Sequence, residues 1–202
     1  MSAKEFFMTE LPPLLQQWKD TLGAAAPKAT FDVEFEVEGE GMFSIVTKNG
    51  DATVRRGGTA APIVAIMFAK KTWEDALERV IRPRLKELAA TDVAALQARG
   101  QAEMAKQLGG RKPVALDKAL AAAKSLPLRV ALEISPAGGH KLELRLAGAE
   151  EDDPTVTVQV AESDLEAIFA GTLPPPQAFK EGKIKMKGSV STAMALLARV
   201  FV

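Results

Sequence analysis

Alternation of apolar and polar side chains dominates this chain. In "FDVEFEVE", Phe31, Val33, Phe35 and Val37 fall on one side of an extended backbone, and Asp32, Glu34, Glu36 and Glu38 on the other. A period of two predicts a half-buried β-strand. "GEG" at 39–41 predicts a turn, "MFSIVT" a second strand, and Asn49-Gly50 within "KNGD" a tight hairpin. A short strand over 52–56 ends at Gly57-Gly58, and "PIVAIMFA" at 62–69 is apolar enough for a strand covered on both faces. The alternation returns in "LRVALEIS", "KLELRLAG" and "TVTVQVA", with "PAGGH" as a turn and "EEDDP" as an acidic loop. "KIKMK" completes eight candidate strands.

Between these strands the period changes. Leu14, Leu15, Trp18 and Leu22 recur at helical spacing behind Pro12-Pro13, which predicts a helix over 13–22 that starts at the prolines. "GAAAPKAT" is a connector. Thr72-x-x-Asp75 and Ser163-x-x-Glu166 read as capping boxes that each open a helix. The first of these helices carries an apolar stripe of Leu77, Val80, Ile81, Leu85 and Leu88, and Pro83 should bend or restart it. Residues 89–126 are Ala-rich, with helices expected near 92–108 and 117–125 and a thin stripe of Val93, Leu96, Met104 and Leu108. A last helix is expected over 189–201, with Val190, Met194, Leu197 and Phe201 at spacings of four, three and four.

The two strand-rich regions have the same order of parts. Each offers an alternating strand, a hairpin, a second strand, a later strand and a capped helix, with Thr72 matching Ser163 and Leu77 matching Ile168. Two related supersecondary units would explain this, and so would chance among short strands. The expected organisation is 1–91 as an N-terminal helix and a first half, 92–127 as a helical connector, and 128–202 as a second half.

Composition removes several classes of function. Lys plus Arg and Asp plus Glu each number 26, giving a formal net charge of +0, and there is no Tyr. A nucleic-acid binder would show a basic excess and stacking aromatics. Absence of Cys excludes disulfides and thiolate metal sites, and fits a reducing cytosol. The opening stretch holds Glu5 and Glu10, and no run approaches the roughly 20 apolar residues of a membrane helix. The expectation is a soluble, cytoplasmic protein of unspecified oligomeric state. Catalysis has little to stand on: His140 is the sole histidine, and no nucleophile–base pattern occurs. No enzyme activity, cofactor or metal is expected. The acids at 32–38 and 150–153 read as a solvated strand face and a charged loop. Lys183, Lys185 and Lys187 share one strand face, which suits plain exposure, pairing with the acids of 32–38, or attraction to anionic headgroups.

One longer segment is more specific. "DLEAIFAGTLPPPQAFKEGKIKMKGSVSTAMAL" resembles the C-terminal half of the sterol carrier protein (nonspecific lipid-transfer) domain. Phe179, Gly182, Lys183, Ile184, Lys185, Met186, Lys187, Gly188, Ala193, Met194 and Leu196 match that family's pattern. The resemblance covers roughly 128–202. The first half resembles the domain only in its strands and first capped helix, lacks a second "GKIKMKG", and brings the candidate strands to eight where the family usually has five. It is either a degenerate copy or part of one enlarged domain.

The resemblance implies an α+β fold: a curved, mainly antiparallel mixed sheet with helices over one face, enclosing an apolar tunnel. It implies non-enzymatic binding and transfer, or presentation, of a sterol, fatty acid, fatty acyl-CoA or isoprenoid-like lipid. The tunnel would be lined or flanked by Phe179, Ile184, Met186, Met194, Leu197 and Phe201. The partner would then be a lipid, with transient contact at a membrane surface. The alternative is an accessory subunit with a filled core, for example in a lipid or quinone biosynthesis assembly.

Overall fold

Every strand expected from the alternation is present in the computed structural model, which describes residues 2–22, 30–83, 85–86, 121, 127–135, 140–146, 149–150, 152–153, 155–169 and 172–192. The strands are β1 Phe31–Val37, β2 Gly41–Lys48, β3 Asp51–Arg56, β4 Val64–Phe68, β5 Leu128–Ser135, β6 His140–Leu146, β7 Thr155–Ala161 and β8 Ile184–Gly188. The chain divides into two units, Met1–Gln101 and Ala102–Val202. Apart from Ala121, which is helical, the helices expected over 92–108 and 117–125 lie outside the described residues, as does the last helix beyond Thr192.

Both units are mixed α+β structures. In the first, β1 pairs antiparallel with β2 and parallel with β4, β2 pairs antiparallel with β3, and the order is β3-β2-β1-β4. In the second, β5 pairs antiparallel with β6 and parallel with β7, β7 pairs antiparallel with β8, and the order is β6-β5-β7-β8. Three strands therefore have one topology in both units: a hairpin, then a later strand parallel to the hairpin's first. A helix follows at once, at Lys70 after β4 and at Glu162 after β7. The parallel registers Val37↔Phe68 and Ile134↔Val160 bring the two helix starts to equivalent positions within their own units. Thr72 then corresponds to Asp164, one residue away from the match with Ser163 that the sequence suggests.

The helix ends differ from expectation for physical reasons. Helix α1 begins near Ser2, not at Pro12-Pro13. It comprises Ala3–Glu5, a π turn over Phe6–Glu10 and an α segment over Leu11–Leu22. The Ser2 hydroxyl accepts from the Glu5 N–H at 3.1 Å, and the Ala3 N–H donates to the Glu40 carboxylate in the β1–β2 turn. Helix α2 runs over Lys70–Ala76, makes a π turn over Leu77–Ile81 and continues through residue 83. In each helix the residue just before a proline reaches back five positions: the Leu11 N–H to the Phe6 carbonyl, and the Arg82 N–H to the Leu77 carbonyl. A proline has no N–H and crowds the carbonyl four residues back. Widening the preceding turn accommodates both defects without ending the helix.

Neither expected capping box forms as predicted. Ala69 precedes α2 without a side-chain cap, and Thr72 is a buried residue inside the first turn. Helix α3, Glu162–Phe169, starts directly at the end of β7, so Ser163 is already helical. The short helix α4 spans Pro175–Lys180. No described helix is long and apolar enough to cross a membrane.

The first unit's core is aromatic. Phe6 and Phe7 of α1, Val37 and Phe43 of the sheet, and Trp73 and Leu77 of α2 are all at most 3% exposed. Phe7 lies between sheet and helix, stacked at 4.8 Å on Phe43 and at 5.2 Å on Trp73, with Phe35 at 4.9 Å. The sheet's opposite face is less solvated than its acids suggest. Ser44 on that face is fully buried and donates to the Gly57 carbonyl, while Glu34 accepts from the Thr59 N–H at 2.9 Å. Both strands at issue are thus partly covered, and every residue of β4, expected to be enclosed on both faces, is half-buried. The hairpin at Asn49-Gly50 forms as expected, both residues having positive φ, 53° and 90°.

Phe7→Ala should cost about 3–5 kcal/mol, since it opens a cavity among rings that cannot close in. Trp73→Phe should cost about 1–2 kcal/mol, because the ring stack survives and a buried indole N–H without a partner is removed. Urea titrations of both variants check the ranking.

Candidate functional site

The second unit's sheet has two chemically distinct faces, and the register fixes them. Directly paired residues share a face. On one face stand the rows Leu146–Leu128, Leu144–Val130–Val156, Leu142–Leu132–Val158–Met186 and Ile134–Val160–Ile184. Leu128 and Val156 are 1% exposed, and Val130, Leu146, Val158 and Met186 pack against them. The rest of this face is half-buried, apart from the nearly covered Val160. None of these four strands contains Phe, Trp or Tyr.

The other face is a polar lattice. Arg129 donates to both carboxylate oxygens of Glu143 at 2.8 and 3.0 Å, and Arg145 donates to the same group at 2.9 Å. The Arg129 guanidinium holds the Glu143 carboxyl below the ordinary carboxylate range; partial burial opposes this and Arg145 reinforces it. Gln159 donates to Glu133 at 2.8 Å. Lys185 and Lys187 of β8 stand opposite Gln159 and Thr157 of β7 and are exposed. Among the described residues, the strand paired with β8 beside these lysines is β7.

The segment that resembles a family motif is built from backbone geometry. At the end of α4, Gly182 adopts φ +70°, its N–H donates to the Phe179 carbonyl at 3.1 Å, and the Lys183 N–H donates to the Ala178 carbonyl at 2.9 Å. These two bonds with a left-handed residue make a Schellman cap, which favours glycine. Gly188 has φ +86°, and a Cβ there would lie 2.3 Å from the Thr155 carbonyl oxygen. The Ser189 N–H donates to that same oxygen at 2.9 Å. Lys183 pairs with Glu181 at 2.9 Å and reaches Asp164 at 3.9 Å.

Of the six residues expected at a cavity, Ile184 and Met186 stand together on the aliphatic face, opposite Val160 and Val158. Phe179 is 53% exposed on α4 and does not join them in the apolar rows. Met194, Leu197 and Phe201 lie outside the described residues. Sequence reading did not single out the apolar side chains of β5, β6 and β7 for the site; their alternation was visible, but not which strands would lie side by side. His140 opens β6 opposite Ile134. The first unit has a separate groove of about 740 Å³ between α1 and the end of α2, lined by Pro13, Leu14, Pro83 and Leu85. At its rim Arg82 pairs with Glu10 at 2.8 Å and with Glu78.

The SCP-2 sterol transfer family model matches residues 93–199. The chain belongs to this family. The match takes in 93–127 as well as the strands that follow. A curated relative, the Caenorhabditis elegans "Non-specific lipid-transfer protein-like 1", is 44% identical over 41 residues, 20% of this chain and 35% of the relative. The chain thus spans about a third of that relative's length. A solved structure, Sterol Carrier Protein 2 Like 2 from Aedes aegypti, is 24% identical, covers 50% of this chain and 95% of its own, and superposes with a TM-score of 0.30.

Two predictions follow from the geometry of this SCP-2 family chain. Gly182→Ala should cost about 1–2 kcal/mol, the strain of a left-handed alanine in open space. Gly188→Ala should cost about 3 kcal/mol or more, since steric overlap with Thr155 adds to the strain. Denaturant titration of the pair reads the difference.

Glu143 should make stability acid-sensitive. Its folded-state pKa is depressed, so its contribution is complete above the unfolded value of about 4.3 and fades as pH falls through the folded value. The gap between the native protein and Glu143→Gln, about 1 kcal/mol near neutrality, should close in acid. Melting curves from neutral pH to pH 3 or so check the trend.

Proposed function

We propose that this protein binds a hydrophobic lipid on the aliphatic face of its second unit and transfers or presents it without chemical change. The ligand class is a sterol, a fatty acid or fatty acyl-CoA, or an isoprenoid-like chain. One observation carries the reading: the register of β6, β5, β7 and β8 gathers Leu, Val, Ile and Met side chains on one face. Membership of a family described by sterol transfer supports it, as does the name of the curated relative.

The energetics suit a carrier. Each methylene that leaves water contributes about 0.8 kcal/mol. A wall of unbranched Met and short aliphatic side chains adapts to several ligand shapes. Methylene burial discriminates weakly between homologous chains, so specificity is broad. Ile184 and Met186 line the site in this proposal, and Phe179 flanks it from the surface of α4. Met194, Leu197 and Phe201 join them on helical spacing alone, as a cover that makes the site a tunnel. The proposed setting is the cytoplasm, with exposed Lys185 and Lys187 suited to brief contact with an anionic membrane surface. The shared three-strand topology of the two units is proposed to descend from a duplication.

Organic-solvent extraction of the purified chain followed by mass spectrometry should yield lipid near one molecule per chain. Repeated emptiness would instead favour an accessory subunit with a filled core. Met186→Trp should weaken binding of a fluorescent fatty acid about tenfold, a loss of about 1.4 kcal/mol, with an unchanged circular dichroism spectrum. Undiminished affinity would place the ligand elsewhere.

A further inference from the structure

We propose that the first unit is a closed counterpart of the second, its ligand space occupied by its own Phe7, so that the chain holds a single lipid and holds it in the second unit. The inference rests on the lipid-carrier reading above. It starts from equivalent positions in the shared topology. Phe35 pairs with Phe43 across β1–β2, and the corresponding pair across β5–β6 is Leu132 with Leu142. Trp73, the fourth residue of α2, corresponds to Leu165, the fourth of α3. Three aromatic walls in one unit are therefore three leucines in the other.

Phe35 is half-buried like its counterpart Leu132, but the burial of the other two walls differs in the same sense. Phe43 and Trp73 are 0% and 1% exposed, whereas Leu132, Leu142 and Leu165 are each half-buried. What seals the first set is Phe7, 1% exposed and stacked between Phe43 and Trp73. Its ring occupies the layer between sheet and helix where an apolar guest would have to lie. Helix α1 holds it there: the Ala3 N–H is tied to Glu40, and the π turn that begins at Phe6 turns both Phe6 and Phe7 inward. A guest entering this unit would have to displace a ring that stacks on two others, and aromatic stacking adds to the burial already lost. The distribution of aromatic residues points the same way. Eight of the chain's eleven Phe and Trp residues fall in residues 1–101, and strands β5 to β8 have none.

The test uses 12-bromododecanoic acid, whose bromine quenches an indole only at close range. Both tryptophans, Trp18 and Trp73, belong to the first unit, and Trp18→Phe leaves Trp73 as the sole reporter inside the aromatic stack. Native mass spectrometry of that variant should count one bound acid per chain, and Trp73 emission should be unchanged at saturation. A companion variant, Trp18→Phe with Met186→Trp, places a second indole on the aliphatic face, where residual binding should quench it. One bound acid with Trp73 quenched, or two bound acids, would overturn this proposal and leave the carrier reading standing. No uptake by the native chain or either variant would overturn the carrier reading and this proposal with it.

Discussion

Parallel pairing inside each strand–hairpin–strand group is the constraint on which the architecture depends. Strands that run the same way cannot be joined by a tight turn. The chain that leaves β3 must therefore cross the sheet before it enters β4 beside β1. Residues 57–63 make that crossing over the face that bears Asp32, Glu34 and Ser44, and they bury Ser44 and hydrogen-bond Glu34. With that face taken up by backbone and polar contacts, the apolar face is left to α1 and α2. In the second unit the same pairing sets Val130, Leu132 and Ile134 level with Val156, Val158 and Val160. A slip of one residue would send these side chains to the face of Arg129 and Glu143.

Strand content was legible because alternation is a local property with a local cause. Val33, Phe35 and Val37 declare a half-buried strand without help from any neighbour. Neighbour identity is not local. Lys185 has a chemically sensible partner in the acids of 32–38, yet Gln159 is the residue beside it. Helix starts were less legible because the usual signals have more than one use. Pro12-Pro13 reads as a beginning, but a π turn lets the helix run through it. Thr72 and Ser163 read as caps, but both helices leave their strands so abruptly that the hydroxyls fall within the first turn.

At the candidate site the motif pointed to the right segment through residues whose roles are conformational. Gly182 and Gly188 are required by backbone geometry, and Lys185 and Lys187 between them stand on the polar face. Of the motif's described residues, Ile184 and Met186 meet the apolar rows. The larger part of that surface comes from β5, β6 and β7, whose sequences are commonplace alternating strands. Its continuity arises from register across four strands, which no single stretch of sequence displays.

The π turn in α1 has a further consequence, for the phase of the helix. Successive residues of an α-helix are rotated by about 100°, so one additional residue in a turn offsets everything before it from everything after it by that angle. Leu11 and Leu15 lie against the core after the turn, and Ala3 before it with Phe6 and Phe7 at its first two positions. The widened turn works as a gear between two stripes that a regular helix would hold out of alignment. The prolines that follow it thus do more than survive inside a helix: by favouring the wide turn just ahead of them, they set the rotation at which the N-terminal rings meet the sheet.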